Sequence, residues 1–278
     1  MDKIKVVLVG LGPIGIITLK EALRREAVEV AGGIDIDPAL GGKDLGALAG
    51  GAACGKVVRA DMEAALAEWK PAAALLTTVS QVDRVAPQVE ALIRAGANVV
   101  SSSEELLLAS HRAPEIAARL DKLAKEAGVT VVGAGVNPGF AMDLYPLVMS
   151  YMSRGVERVS VWRRLDASLR RGPLQKKAGS GLTVEEFRVG EEEGWVGHKG
   201  LQESIVLICQ GLGWEPDKVV ETLDPIIAKD PVRTEHFDVQ PGQVGGIHHT
   251  GRAWKGERLL VEMDLKMIMG AEETFDRV

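Results

Sequence analysis

Short aliphatic runs alternate with amphipathic stretches from Lys5 to Gly133. The runs Lys5–Gly10, Val28–Asp35, Ala72–Thr78, Ala97–Ser101 and Val129–Gly133 are dominated by Val, Ile, Leu and Ala, the composition of strands covered on both faces. Between them the pattern changes to helical spacing over Ile14–Arg25, Met62–Trp69, Arg84–Ala95 and Pro114–Ala127. In the last of these Ile116, Leu120, Leu123 and Ala127 fall on one face. Gly96 and Gly128 stand where a helix ends through a left-handed backbone angle. Strands and helices in strict alternation predict a doubly wound parallel sheet.

After Gly135 the texture differs. A helix is expected over Pro138–Met152, a β-like run over Val156–Arg164 and a long basic loop over Leu165–Gly181. Thr183-Val-Glu-Glu186 has capping-box spacing and opens a helix towards Glu193. A further helix is expected over Gly200–Leu212, with strand-like segments at Val219–Ile227 and Val232–Val239. In the last strand Val261, Met263, Leu265, Met267 and Met269 alternate with Glu262, Asp264 and Lys266, so one face is buried and the other is polar or at an interface. The methionine stripe reads as core. The fold class is therefore α/β, an N-terminal Rossmann doubly wound parallel sheet over 1–137 and a second α+β domain over 138–278.

With 278 residues, 46% of them hydrophobic, the chain has enough apolar surface for two cores. A net charge of −6 offers no footprint for nucleic acid or an anionic membrane. No apolar run reaches the length of a membrane span, and no signal peptide precedes the first strand, so a cytoplasmic location is expected. Cys54 and Cys209 have no metal-ligand spacing and read as small buried hydrophobes rather than a disulfide.

Gly10-Leu-Gly12-Pro13-Ile14-Gly15 follows a strand and opens a helix, the context that turns a weak glycine pattern into a dinucleotide site. Gly10 permits the turn, Gly12 lets the backbone approach a pyrophosphate, and Gly15 allows close packing; Pro13, lacking an N–H, only shapes the turn. Asp35 ends the second strand, where a carboxylate accepts the ribose hydroxyls and repels a 2′-phosphate. Asp37 adds to that bias and Lys43 partly offsets it, so the cofactor expected is NAD or NADP, with NAD favoured. Thr77 and Thr78 stand at a carboxyl edge, as cofactor contacts or as caps.

Ser101-Ser102-Ser103-Glu104-Glu105 follows the next strand at the same edge. Spacing alone favours a helix cap; the sharper reading is a general acid–base carboxylate. Gly133-Ala-Gly-Val-Asn137-Pro-Gly-Phe140 makes a shaped junction from which Asn137 can reach cofactor or substrate and Phe140 can line a pocket. Arg163, His198 and the basic stretch Arg170–Lys177 are substrate-side candidates, the basic stretch for a carboxylate.

VGLGPIG and GAGVNPGF resemble the dihydrodipicolinate reductase fold, but that family's histidine pair, lysine and Asp-Ala-Pro-Ser-Gly run is missing: only Asp166-Ala167 matches, and His248-His249 lies far downstream. SSSEEL, GAGVNPGFAMDLYPL and RRGPLQKKAGSGLTVEEF resemble the 2,4-diaminopentanoate dehydrogenase and native amine dehydrogenase family over almost the whole chain. That resemblance implies an NAD(P)-dependent oxidoreductase on CH–NH2 donors, with amine or ketone plus ammonia as partners and a homodimer as assembly. It also implies Glu104 as the catalytic acid–base and a second domain that binds substrate and dimerises; Ser102 at the sheet edge and Asn137 at the junction are expected as cofactor contacts. Relatives continue beyond the position of Val278, which implies a C-terminally short second domain. The rival readings are an imine reductase of the dihydrodipicolinate type and a non-catalytic NAD-binding sensor.

Overall fold

The computed structural model describes Lys3–Arg277; Met1, Asp2 and Val278, which bound the two expected domains, lie outside the described residues. The chain divides into two compact units, Met1–Gly135 and Val136–Val278.

Unit 1 contains β1 (Ile4–Val9), α1 (Pro13–Arg24), β2 (Val28–Ile34), α2 (Leu45–Leu48), β3 (Val58–Arg59), α3 (Met62–Trp69) and β4 (Ala73–Leu76). It continues with α4 (Val82–Arg94), β5 (Asn98–Ser101), a 3-10 turn (Glu104–Leu108), α5 (Ala109–Arg112), α6 (Pro114–Ala127) and β6 (Val131–Gly133). The six strands are all parallel in the order β3-β2-β1-β4-β5-β6. This is the doubly wound arrangement that the alternating pattern predicted, with the strand order reversing beside β1. Val7, Leu8, Ala74 and Leu76 are fully buried, as central strands of a covered sheet should be. Gly96 and Gly128 close α4 and α6 with φ of 77° and 68°. The two-residue β3 was not visible in the pattern, because its pairing rests on position rather than composition.

Unit 2 contains α7 (Leu144–Ser150), β7 (Val159–Asp166), α8 (Gly172–Lys177), α9 (Val184–Glu192) and α10 (Leu201–Gly211). These are followed by β8 (Lys218–Ile227), β9 (Val232–Arg233), β10 (Asp238–Val239), β11 (Val244–Lys255), β12 (Arg258–Ile268) and β13 (Phe275–Arg277). Five of the strands form a mixed sheet in the order β13-β7-β12-β11-β8, and β9 with β10 makes a separate ribbon. Val261, Met263 and Leu265 on β12 pack with Leu201, Ile205 and Ile208 of α10 in one core, so the methionine stripe is core.

Five readings are corrected here. The helix expected from Pro138 begins at Leu144, because Gly139 adopts φ 120° and Asp143 caps the helix instead. The expected loop Leu165–Gly181 contains α8, and the segment Val232–Val239 is a short ribbon rather than one strand. Central strand β11 was missed altogether: its three glycines and two histidines carry little β signal. Gly246 is required there, since a Cβ would stand 2.1 Å from the Met267 carbonyl oxygen on β12. Finally, Cys54 is exposed; only Cys209 is a buried thiol.

Candidate active site

The glycine turn is built by the ends of three strands. Gly10 takes φ 86° and donates its N–H to the Ile34 carbonyl at 2.9 Å. A Cβ on Gly15 would lie 1.9 Å from the Gly10 carbonyl oxygen, so close packing of turn and helix fixes that glycine. Gly12 differs: a Cβ there would meet nothing within 4 Å. Protein packing therefore does not require glycine at position 12, and the space over its backbone is the cradle that a dinucleotide phosphate needs. Gly12 is also the N-cap of α1, whose first turn offers the unpaired N–H groups of Ile14 and Gly15; Pro13 at N1 contributes none. These residues fit a bound dinucleotide.

Asp35 lies just beyond β2 with its carboxylate turned to the same turn. Oδ2 accepts the Leu11 N–H at 2.6 Å and Oδ1 accepts the Asp37 N–H at 2.9 Å. Each oxygen keeps a lone pair for a ribose hydroxyl. The Thr77 hydroxyl donates to the Gly10 carbonyl at 2.8 Å, and that of Thr78 to Gln88 Oε1 at 2.8 Å. Both threonines thus brace the protein, leaving lone pairs rather than protons for a ligand.

Ser102 extends the sheet edge, its N–H donating to the Leu76 carbonyl at 3.0 Å. The cap reading of the serines fails locally: Ser103 precedes the 3-10 turn without a side-chain cap, and its hydroxyl donates to the Ser80 carbonyl at 2.9 Å. The two adjacent glutamates have separate positions. Glu105 accepts the Val82 N–H at 2.9 Å and so closes the start of α4. Glu104 opens the 3-10 turn, half-buried, at the carboxyl edge of the sheet. Gly133 on β6 lets that turn approach, since a Cβ would stand 2.5 Å from the Leu107 nitrogen.

In unit 2 the Asn137 turn is held by a buried carboxylate. Asp143 accepts the Gly139 N–H at 2.7 Å, the Leu144 N–H at 2.6 Å and the Ser204 hydroxyl at 2.6 Å. The Asn137 carbonyl accepts Nε2–H of His198 at 3.0 Å. Burial pushes the His198 imidazole down to about 4, against the pull of the Asn137 carbonyl, with His249 and Lys177 pushing the same way. Phe140 is 54% exposed, its ring 6.2 Å from that of Tyr145. Arg163 lies on β7 in register with Leu265, on the helix-covered face of the sheet. The histidine and carboxylate of His249 and Glu221, 2.5 Å apart on that same face, were not among the expected site residues. The signal was present: His249 is in phase with Ile247 and Ala253, where an apolar residue belongs.

A concavity of about 320 Å³ on unit 1 is lined by Lys5, Glu29, Lys56, Arg59, Glu68 and Trp69 among others. Its charges pair with one another, Arg59 with Glu68 above all, and the glycine turn is not part of it. Among the described residues no cluster of His, Cys, Asp and Glu could hold a metal ion, and no helix is long and apolar enough to cross a membrane.

Residues 140–274 match the family model of the 2,4-diaminopentanoate dehydrogenase C-terminal domain. The 2,4-diaminopentanoate dehydrogenase of Acetoanaerobium sticklandii is 31% identical over 268 residues, 95% of this chain and 76% of that protein. This chain belongs to the 2,4-diaminopentanoate dehydrogenase family. It is accordingly a dehydrogenase, and hence an oxidoreductase. Solved structures agree on the fold. The amine dehydrogenase of Mycobacterium smegmatis superposes with a TM-score of 0.87 at 24% identity, covering 99% of this chain and 82% of that one. The WlbA dehydrogenase of Bordetella pertussis, solved with NADH and UDP-GlcNAcA, gives 0.59 at 18% identity over 97% of this chain and 68% of that one.

Proposed function

We propose that the chain oxidatively deaminates a primary amine or diamino acid, of the 2,4-diaminopentanoate type, to a ketone and ammonia, and runs the reverse reductive amination. The observation that carries this reading is a family relation spanning 95% of the chain, and hence both units. A bound nicotinamide supplies the hydride acceptor for deamination and the hydride donor for amination. Gly10, Gly12 and Gly15 hold the pyrophosphate on the α1 N-terminus, Asp35 takes the adenosine ribose, and Thr77, Thr78, Ser102 and Asn137 line the path of the dinucleotide.

Glu104 is the acid–base. It takes a proton from the substrate ammonium, so that the nitrogen lone pair can drive hydride departure from the adjacent carbon. After passing that proton to solvent, it draws one from the water that adds to the iminium carbon and returns it to the departing amine. Its place at the carboxyl edge of the sheet, opening the 3-10 turn after β5, supports this assignment. Asn137, Phe140 and His198 shape the substrate side, and Arg163 pairs with a substrate carboxylate.

NAD is the preferred cofactor, since the Asp35 carboxylate disfavours a 2′-phosphate. The active form is a homodimer through the polar face of the unit 2 sheet, where His248 pairs with Asp264 at 2.6 Å and Arg252 with Glu262 at 2.8 Å. Two free thiols suit a reducing compartment, the cytoplasm. The test is reduction of NAD+ and NADP+ with 2,4-diaminopentanoate, 3,5-diaminohexanoate and simple alkylamines. Turnover of a diamino acid, faster with NAD+, is the expected result. Dinucleotide binding without turnover of any amine would sink the reading.

A further inference from the structure

Glu104 stands between two residues that are tied to a single carbonyl. The Ser103 hydroxyl donates to the Ser80 carbonyl oxygen at 2.9 Å, and the Glu105 N–H donates to the same oxygen at 3.2 Å. A carbonyl oxygen has two lone pairs, and these donors take both. Ser103 is 4% exposed, and its own N–H donates to the Ser101 hydroxyl oxygen at 3.1 Å. Ser101, the last residue of β5, is also buried. The hydroxyl of Ser103 does not cap the 3-10 turn that begins at Glu104. It reaches across to a different loop instead.

That loop joins β4 to α4 and is held at both ends. At its start Thr77 donates its N–H to the Val9 carbonyl at 2.8 Å and its hydroxyl to the Gly10 carbonyl at 2.8 Å. At its end the Val82 N–H meets the Glu105 carboxylate at 2.9 Å. One short loop therefore grips the dinucleotide turn at Thr77 and the Glu104 segment at Ser80. The whole frame lies within unit 1.

We propose that Ser103 is a positioning residue: by tying the chain beside Glu104 to the Ser80 carbonyl, it fixes the acid–base carboxylate relative to the dinucleotide turn. The proposal rests on the reading of Glu104 as the acid–base and adds what holds that group in place. Ser103 acts through its neighbour, since its side chain is buried and its proton is committed to Ser80. Proton transfer needs the carboxylate within hydrogen-bond reach of the substrate nitrogen, and a misplacement of about 1 Å costs roughly 10²-fold in rate. Without the Ser103 hydroxyl the Ser80 carbonyl keeps the Glu105 N–H, so the loop stays paired while the chain before Glu104 loses its tether.

The experiment is a double-mutant cycle in the full chain: wild type, Ser103→Ala, Glu104→Gln and the two combined, with Ser103→Thr as the conservative variant. kcat and KM are measured with NAD+ and 2,4-diaminopentanoate, alongside NAD+ affinity by calorimetry and Tm. Ser103→Ala should lower kcat by about tenfold, while KM and NAD+ affinity stay within about twofold of wild type. Added to Glu104→Gln, the same change should slow the residual rate no further, because the group it positions is already gone. Ser103→Thr keeps the hydroxyl and should retain most of the wild-type kcat. If Ser103→Ala does not fold, Ser103→Cys, which fills the site with a poorer donor, takes its place in the cycle. Wild-type kcat in Ser103→Ala, or an equal loss of rate with and without Glu104→Gln, would overturn the positioning role alone. A Glu104→Gln enzyme as fast as wild type, or a wild type that turns over no amine, would overturn the acid–base reading and the proposal with it.

Discussion

His198 gives its Nε2–H to the Asn137 main-chain carbonyl at 3.0 Å, within a site that lowers the imidazole from 6.5 to about 4. In the unfolded chain the same ring takes a proton as pH falls through its ordinary value. The folded protein refuses that proton until about pH 4. The stability contribution is therefore complete above pH 6.5 and is lost progressively as pH falls from 6.5 towards 4. Thermal denaturation should show a Tm that falls across this window in wild type and falls less steeply in His198→Asn. Identical slopes for the two proteins would mean that His198 does not resist protonation.

Glu104 and Glu105 should separate cleanly. Glu104→Gln keeps the shape and removes the titrating group, so kcat should drop by roughly 10²-fold or more while dinucleotide affinity stays. Glu105→Ala removes the acceptor at the start of α4 and should cost about 1 kcal/mol, lowering Tm by roughly 2–4 °C. A Glu104→Gln enzyme that still turns over at the wild-type rate takes Glu104 out of the mechanism.

The glycines of the turn make a paired prediction. Gly12→Ala places a methyl in open space, so folding should be unchanged while NAD+ affinity weakens by roughly tenfold or more. Gly15→Ala drives a Cβ to 1.9 Å from the Gly10 carbonyl oxygen and should destabilise unit 1 by about 1–3 kcal/mol. Calorimetric titration with NAD+ alongside thermal melts distinguishes the two effects. Full NAD+ affinity in Gly12→Ala would place the phosphates elsewhere.

Thiol chemistry offers a direct test of the packing. Cys54 is exposed, whereas Cys209 is buried in α10 and its thiol is raised to about 11 by burial. A thiol-specific reagent at neutral pH should modify Cys54 promptly and Cys209 only on unfolding. Rapid modification of both in the native protein would show that the α10 core opens readily.

The sequence carried unit 1 almost whole, because a parallel covered sheet writes its strands as aliphatic runs and its ends as glycines. Unit 2 was harder to read for a physical reason. Strand β11 replaces β-branched residues with Gly245, Gly246 and Gly251; at Gly246 a Cβ would stand 2.1 Å from the Met267 carbonyl oxygen, a packing requirement that local propensity does not reveal. The same strand hid His249, which pairs with Glu221 from β8 and meets the His198 ring edge-to-face. Glu104 was ambiguous for a related reason: only the three-dimensional course of the chain shows that its neighbour Glu105 is the one that closes α4.

The glycine turn is gripped from three sides before any ligand arrives: Ile34 holds the Gly10 N–H, Thr77 holds its carbonyl, and Asp35 holds Leu11. A loop already set in its final shape has little disorder left to surrender on binding, so contact energy goes into affinity instead of into ordering the chain. Affinity for the dinucleotide then depends on hydrogen bonds within the protein as well as on contacts to the ligand. Thr77→Val, by freeing the Gly10 carbonyl, should slacken the grip and hasten dissociation without removing a single contact to the phosphates.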